Sequence, residues 1–279
     1  MSRGISIHIG MEYFDSEYYN GDDGALSTCG KDCSDMQEIA TSQNFEESIV
    51  LLNEDATRDA VKSAIISASK SLIEGDMLFI SYSGHGTFIE DMGGDEEDGR
   101  DEAWCLYNGF LLDDELLQLW TLFKEDVRIF LVSDSCHSGT ISKAPMGGNR
   151  DDIIVSKLFS AVKAKEVYIQ NKEFYDNEKS KASEAKEEDV KARVKLIAGC
   201  QDDESSYVLP FADNSLLTTE LNAVWSDGEF EGTTDAFFKE IEQRVEVIAR
   251  KNKIYQMPNL FTIGKENIEF DKQKPFYIG

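Results

Sequence analysis

The stretch FLVSDSCHSGT, residues 130–140, decides how this chain is read. An apolar run that starts at Val127 stops abruptly on Ser133, Asp134, Ser135 and Cys136, with a histidine, a serine and a glycine next. A stretch of the same form, MLFISYSGHGT at residues 77–87, ends on Ser83, Gly84, His85 and Gly86. Both runs are too uniformly apolar to face water on one side. They read as strands buried on both faces, which is the pattern of a parallel sheet covered by helices.

The neighbouring segments support that reading. GISIHIG (4–10), ESIVLLN (47–53) and VKLIAGC (194–200) have strand character. KDCSDMQEIATSQN (31–44), DDELLQLWTLFKED (113–126) and TTDAFFKEIEQRVEVIARKN (233–252) have helical spacing. Asp55, Ala56 and Thr57 offer caps for a further helix over 58–75, closed by Gly75. The alternation predicts an α/β fold with a mostly parallel central sheet and helices on both faces. In such sheets ligands bind beyond the carboxyl ends of the strands. The reactive residues of both opening stretches lie there.

The 279 residues suffice for one large domain or two small ones. With 28 Lys+Arg against 54 Asp+Glu, the net charge of −26 disfavours nucleic acid and anionic membranes and favours cations and basic peptides. No apolar run approaches the length of about 18 residues that a spanning helix needs. Five scattered cysteines with no C-x-x-C pair predict a reducing, cytoplasmic setting. Three histidines make a zinc site of ordinary spacing a poor fit. Residues 163–195 are densely charged and lack Gly and Pro, and read as a solvated helix or a flexible linker.

A nucleophilic cysteine needs a base within reach and N–H donors for the oxyanion. Cys136 sits where a strand gives way to a turn rich in small residues, and His85 holds the equivalent position on another strand. Gly84 and Gly86 let the backbone approach a substrate closely. The N–H groups of Gly86 and Cys136 are the expected oxyanion hole. His137 is a rival base, although adjacent side chains on extended backbone point apart. His8 reads as a structural histidine, and Cys29, Cys33, Cys105 and Cys200 read as small buried hydrophobes.

YSGHG followed about fifty residues later by DSCHSG resembles the caspase-like cysteine peptidases, and among them the metacaspases. The resemblance extends through GRDEAWCLYNG and LLDDEL, and more loosely through AGCQDDESSY and YQMP. It implies a caspase-like three-layer sandwich and a Cys136–His85 dyad that cleaves protein substrates after Arg or Lys. It divides the chain into a large-subunit-like part (1–160), a charged processing segment (161–195) and a small-subunit-like part (196–279) that completes the same sheet. Asp32, Ser83 and Asp134 match the positions that receive the basic side chain.

By the same resemblance Asp101, Asp113 and Asp114 match ligands for activating calcium, and the fourth ligand position holds Lys143. The lysines of 163–195 and Arg193 are then candidate self-cleavage points, and the protein is expected to be a monomer. A non-catalytic binding module of the same fold, or a peptidase of different specificity, is the alternative.

Overall fold

The structure is a computed structural model and describes residues 2–90, 100–136, 153–201 and 204–279. Its centre is a six-stranded sheet built from β1 (Gly4–Gly10), β2 (Glu47–Leu52), β3 (Met77–Ser83), β7 (Arg128–Asp134), β9 (Arg193–Ala198) and β11 (Asn259–Gly264). The order is β11-β9-β7-β3-β1-β2. All neighbours run parallel except β11, which is antiparallel to β9. β4 (Gly86–Glu90), β5 (Arg100–Leu106) and β6 (Gly109–Leu112) form a second, antiparallel sheet.

The uniformly apolar strands are explained by two cores, one on each face of the sheet. Successive side chains of a strand alternate between faces. Ile7, Leu78, Ile80, Ile129 and Leu131 enter one core with Val61 and Ile65 of α2 (Arg58–Ser71) and Leu119 and Trp120 of α3 (Asp113–Thr121). Met77, Phe79, Phe130, Val132 and Ile197 enter the other with α1 (Cys29–Ser42), α6 (Leu216–Trp225) and α7 (Thr234–Asn252). The expected sheet with helices on both faces is therefore present.

Three details depart from the reading of the sequence. α2 starts as predicted, with the Thr57 side chain accepting from the Ala60 N–H, but ends at Ser71, because Leu72 turns to extended backbone and buries its side chain. The small sheet was not foreseen. The charged stretch is not a free linker, since α4 (Ala161–Gln170) and α5 (Lys172–Ala182) bury Val167, Tyr168 and Tyr175 against the first core.

Candidate active site

β3 and β7 lie side by side, with Ser83 opposite Asp134 at their carboxyl ends. His85 and Cys136 each follow this pair by two residues, so the register brings their backbones to one place. The Gly84 N–H reaches the Asp134 carbonyl at 3.4 Å, and a Cβ on Gly86 would collide with the Cys136 carbonyl. Glycine is required at position 86 by that close approach.

His85 is buried, with its ring 5.7 Å from that of Phe14 and 6.4 Å from that of Phe159. Burial pulls its pKa down to about 4, against the opposing pull of the Lys157 and Gly24 backbone groups and the Asp22 carboxylate. At neutral pH the ring is therefore in its base form. Its Nδ1 has no hydrogen-bond partner among the described residues.

The Cys136 thiol is held below its ordinary pKa. Burial pushes it up, but the Cys200 thiol, the Ser206 N–H and the hydroxyls of Ser156 and Ser205 stabilise the thiolate more strongly. The Ser206 N–H lies 2.7 Å from Sγ. In return the Cys200 thiol is pushed well above its usual value, first by hydrogen bonding to Cys136 and then by burial. A donor-lined surround thus replaces the positive partner that thiolates often use.

A lysine occupies the cleft. Lys157 is fully buried, and its Nζ donates to Asp134 Oδ2 at 2.7 Å, Ser83 Oγ at 2.8 Å and Asp32 Oδ2 at 3.2 Å. Three expected pocket residues from three elements therefore converge on one ammonium. The two carboxylates raise the Lys157 pKa although burial alone would lower it. Ser206 and Ser215 hydroxyls brace Asp134, while the Ser215 N–H and Asn214 brace Asp32, each at 3.0 Å. Gln256 holds the far side, donating to Gly199 O at 2.9 Å and Ser206 Oγ at 3.1 Å.

The backbone around Lys157 is bound like a docked peptide. β8 (Val155–Ser156) pairs antiparallel with β10 (Tyr207–Val208), and the Lys157 N–H donates to the Ser206 carbonyl at 2.9 Å. The Gly86 N–H, one of the two expected oxyanion donors, donates to the Lys157 carbonyl at 2.9 Å. Beyond it, the Phe159 N–H donates to the Gly86 carbonyl at 2.8 Å, and Thr87 Oγ1 to the Phe159 carbonyl at 3.1 Å. An extended strand held by backbone bonds, with one side chain in a charged pocket, is how sheet edges take peptides.

The expected calcium ligands are partly engaged in other contacts. Asp101 pairs with Lys179 of α5 at 2.7 Å. Asp113 instead lines a cavity of about 110 Å³ with Glu102 and Trp104, which alternate with Asp101 along β5. Asp114 follows at the start of α3, its N–H donating to Asp113 Oδ1 at 3.0 Å. Among the described residues no three His, Cys, Asp or Glu side chains form a metal-holding group. These residues do not fit a calcium ion as placed, and no step is routed through one. His137 and Lys143 lie outside the described residues.

Lys157 escaped the reading of the sequence, as did Ser206, Ser215, Asn214 and Cys200 in their supporting roles. The available signal was a lone lysine inside the apolar run IIVSKLFSA, residues 153–161. A cation there must find a buried partner or leave the core.

The metacaspase, peptidase C14 domain family model matches residues 6–145. The chain is 36% identical over 157 residues to Metacaspase-1 of Pyricularia oryzae, covering 50% of this chain and 37% of that protein. Against Metacaspase-1 of Kluyveromyces lactis it is 34% identical over 157 residues, covering 51% and 35%. The matched stretch thus spans little more than a third of these curated relatives' length. Among solved structures, protein GSU0716 of Geobacter sulfurreducens superposes with a TM-score of 0.85 at 38% identity, over 99% of both chains. Caspase-1 of Spodoptera frugiperda shares the fold, with a TM-score of 0.55 at 12% identity over 93% of this chain and 86% of that one.

Proposed function

The chain belongs to the metacaspase family, and on that premise we propose that it is a cysteine endopeptidase that cleaves after lysine or arginine and first cuts its own Lys157–Leu158 bond. The observation that carries this reading is Lys157 itself. Its ammonium fills the acidic pocket while its carbonyl oxygen accepts from the Gly86 N–H beside Cys136.

The chemistry follows from that placement. His85 takes the Cys136 thiol proton as Sγ attacks the Lys157 carbonyl carbon, and the developing oxyanion is stabilised by the Gly86 N–H. His85 delivers a proton to the departing Leu158 amine, and the C–N bond breaks to leave a thioester. Water activated by His85 then hydrolyses the thioester, freeing the thiol and the Lys157 carboxylate. Until that cut, the segment that carries Lys157 competes with any other substrate for the pocket. The self-cleavage point lies upstream of the charged stretch 163–195.

Intact-mass and N-terminal analysis of the incubated chain tests this. The expected result is a fragment that begins at Leu158, absent from the Cys136→Ala variant. The same fragment in both samples would sink the self-cleavage step. A peptide panel ending in Lys, Arg, Asp or Asn tests the activity, and cleavage after Asp but not after Lys or Arg would overturn the pocket assignment. A panel left wholly uncut would favour a binding module.

A further inference from the structure

We propose that the acidic pocket selects lysine over arginine, and that the thiol of Cys29 at its inner wall sets the preference. The proposal rests on the peptidase reading above.

The pocket's acceptors match an ammonium better than a guanidinium. An ammonium has three N–H donors and a guanidinium has five, whereas an ionised carboxylate offers about four lone-pair sites. Asp32 already accepts from Asn214 and the Ser215 N–H on Oδ1, and from Ser83 and Lys157 on Oδ2. Asp134 accepts from Ser206 on Oδ1, and from Ser215 and Lys157 on Oδ2. The pocket therefore has three acceptors arranged for one compact cation, and each carboxylate is mostly spent on its own bracing. A guanidinium would bring two further donors into a space closed to water.

The pocket's inner wall limits its depth. Cys29 opens α1 and lies on the same helix face as Asp32, three residues on. Its thiol is fully buried beside the Ser83 hydroxyl and sits within electrostatic reach of Lys157, Asp32 and Asp134. Burial pushes that thiol up to about 12, so it remains a neutral packing group and not a second anion. A guanidinium is longer and wider than an ammonium and would press against it. Burying one unmade hydrogen bond corresponds to a loss of about tenfold or more.

The chain carries its own probe. Lys157→Arg should slow formation of the Leu158 fragment by about tenfold relative to the native chain. Adding Cys29→Ala should recover most of that loss, whereas Cys29→Ser, which keeps the volume and the donor, should not. Equal self-cleavage of the native and Lys157→Arg chains would overturn the proposal while leaving the peptidase reading intact.

A chain that never self-cleaves would instead count against the peptidase reading, and the fit of the pocket can still be measured without chemistry. In the Cys136→Ala background Lys157→Arg should lower the melting midpoint by about 3 °C, and Cys29→Ala should restore it. An unchanged midpoint there, or no rescue by Cys29→Ala, would also overturn the proposal.

Discussion

Two buried ion clusters stand about the ends of this fold, and they differ in their charge balance. Beside α2, Arg58 and Lys62 meet Glu115 and Glu178, with contacts between 2.7 and 3.3 Å. Two largely buried cations answer two carboxylates, and the exposed Lys181 adds a contact to Glu178 at 2.7 Å. In the cleft, one cation, Lys157, answers Asp32 and Asp134. The first cluster draws its members from packed helices, and Arg58 also stacks over Phe174 at 4.9 Å. The second draws its cation from an extended strand that other backbone could replace. A balanced cluster locks elements together, while an acidic surplus around a lysine on an extended strand suits the proposed binding of basic side chains.

The comparison breaks most visibly through the balanced cluster. Glu115→Ala would leave Arg58 buried with one of its two carboxylate partners, and removing one member of such a pair costs about 3–5 kcal/mol. Denaturant unfolding should show that loss, with the rate of self-cleavage per folded molecule unchanged. A shift in cleavage specificity would mean that the two clusters are one functional unit.

Asp134→Asn is the matching change in the cleft. It removes the shortest charged contact to Lys157 and should slow cleavage after lysine by about a hundredfold, in line with the loss of a desolvated charge pair. Peptide kinetics checks it, and an effect on unfolding larger than that of Glu115→Ala would refute the division between site and scaffold.

Acidification sharpens the contrast more gently. His85 is held near 4, against about 6.5 in an unfolded chain. Between those values the unfolded chain binds more protons. The contribution is therefore fully present above about pH 6.5 and is lost as pH falls toward 4. His8, pulled to about 3 by burial, adds to the same window. Melting midpoints followed from pH 7 to 4 should fall, less steeply in His85→Gln and in His8→Gln than in the native chain. Unchanged slopes in both variants would remove these rings from the account.

How much of this was legible follows from the kind of signal each residue leaves. The sheet showed through because strands buried on both faces must be apolar throughout, as Phe130 to Val132 are. His85, Gly86 and Cys136 were singled out because strand ends and motif spacing mark them, whereas Asp32, Ser83 and Asp134 came only from the resemblance to the family's pocket positions. Lys157 was not, since its role depends on residues 155–159 lying against the start of β4, a contact far apart in sequence. The charged stretch misled because Tyr168 and Tyr175, the residues that dock it, are sparse among lysines and glutamates. Composition shows the solvated face of such a helix and hides the few anchors on the other.

The smallest predicted effect concerns calcium and a third lysine–aspartate contact. Lys179 approaches Asp101 at 2.7 Å with both side chains largely buried, so the carboxylate that the resemblance assigns to the metal already faces an ammonium. A divalent ion would have to displace that ammonium, losing one favourable pairing for the one it gained. Chelation of calcium should therefore change self-cleavage by less than about twofold in the native chain. Lys179→Ala removes the competitor, and any calcium response should be larger there, read both as a rate and as a calcium-dependent shift in melting midpoint. A strong response in the native chain, abolished by Asp101→Asn, would show that the ion outcompetes the lysine.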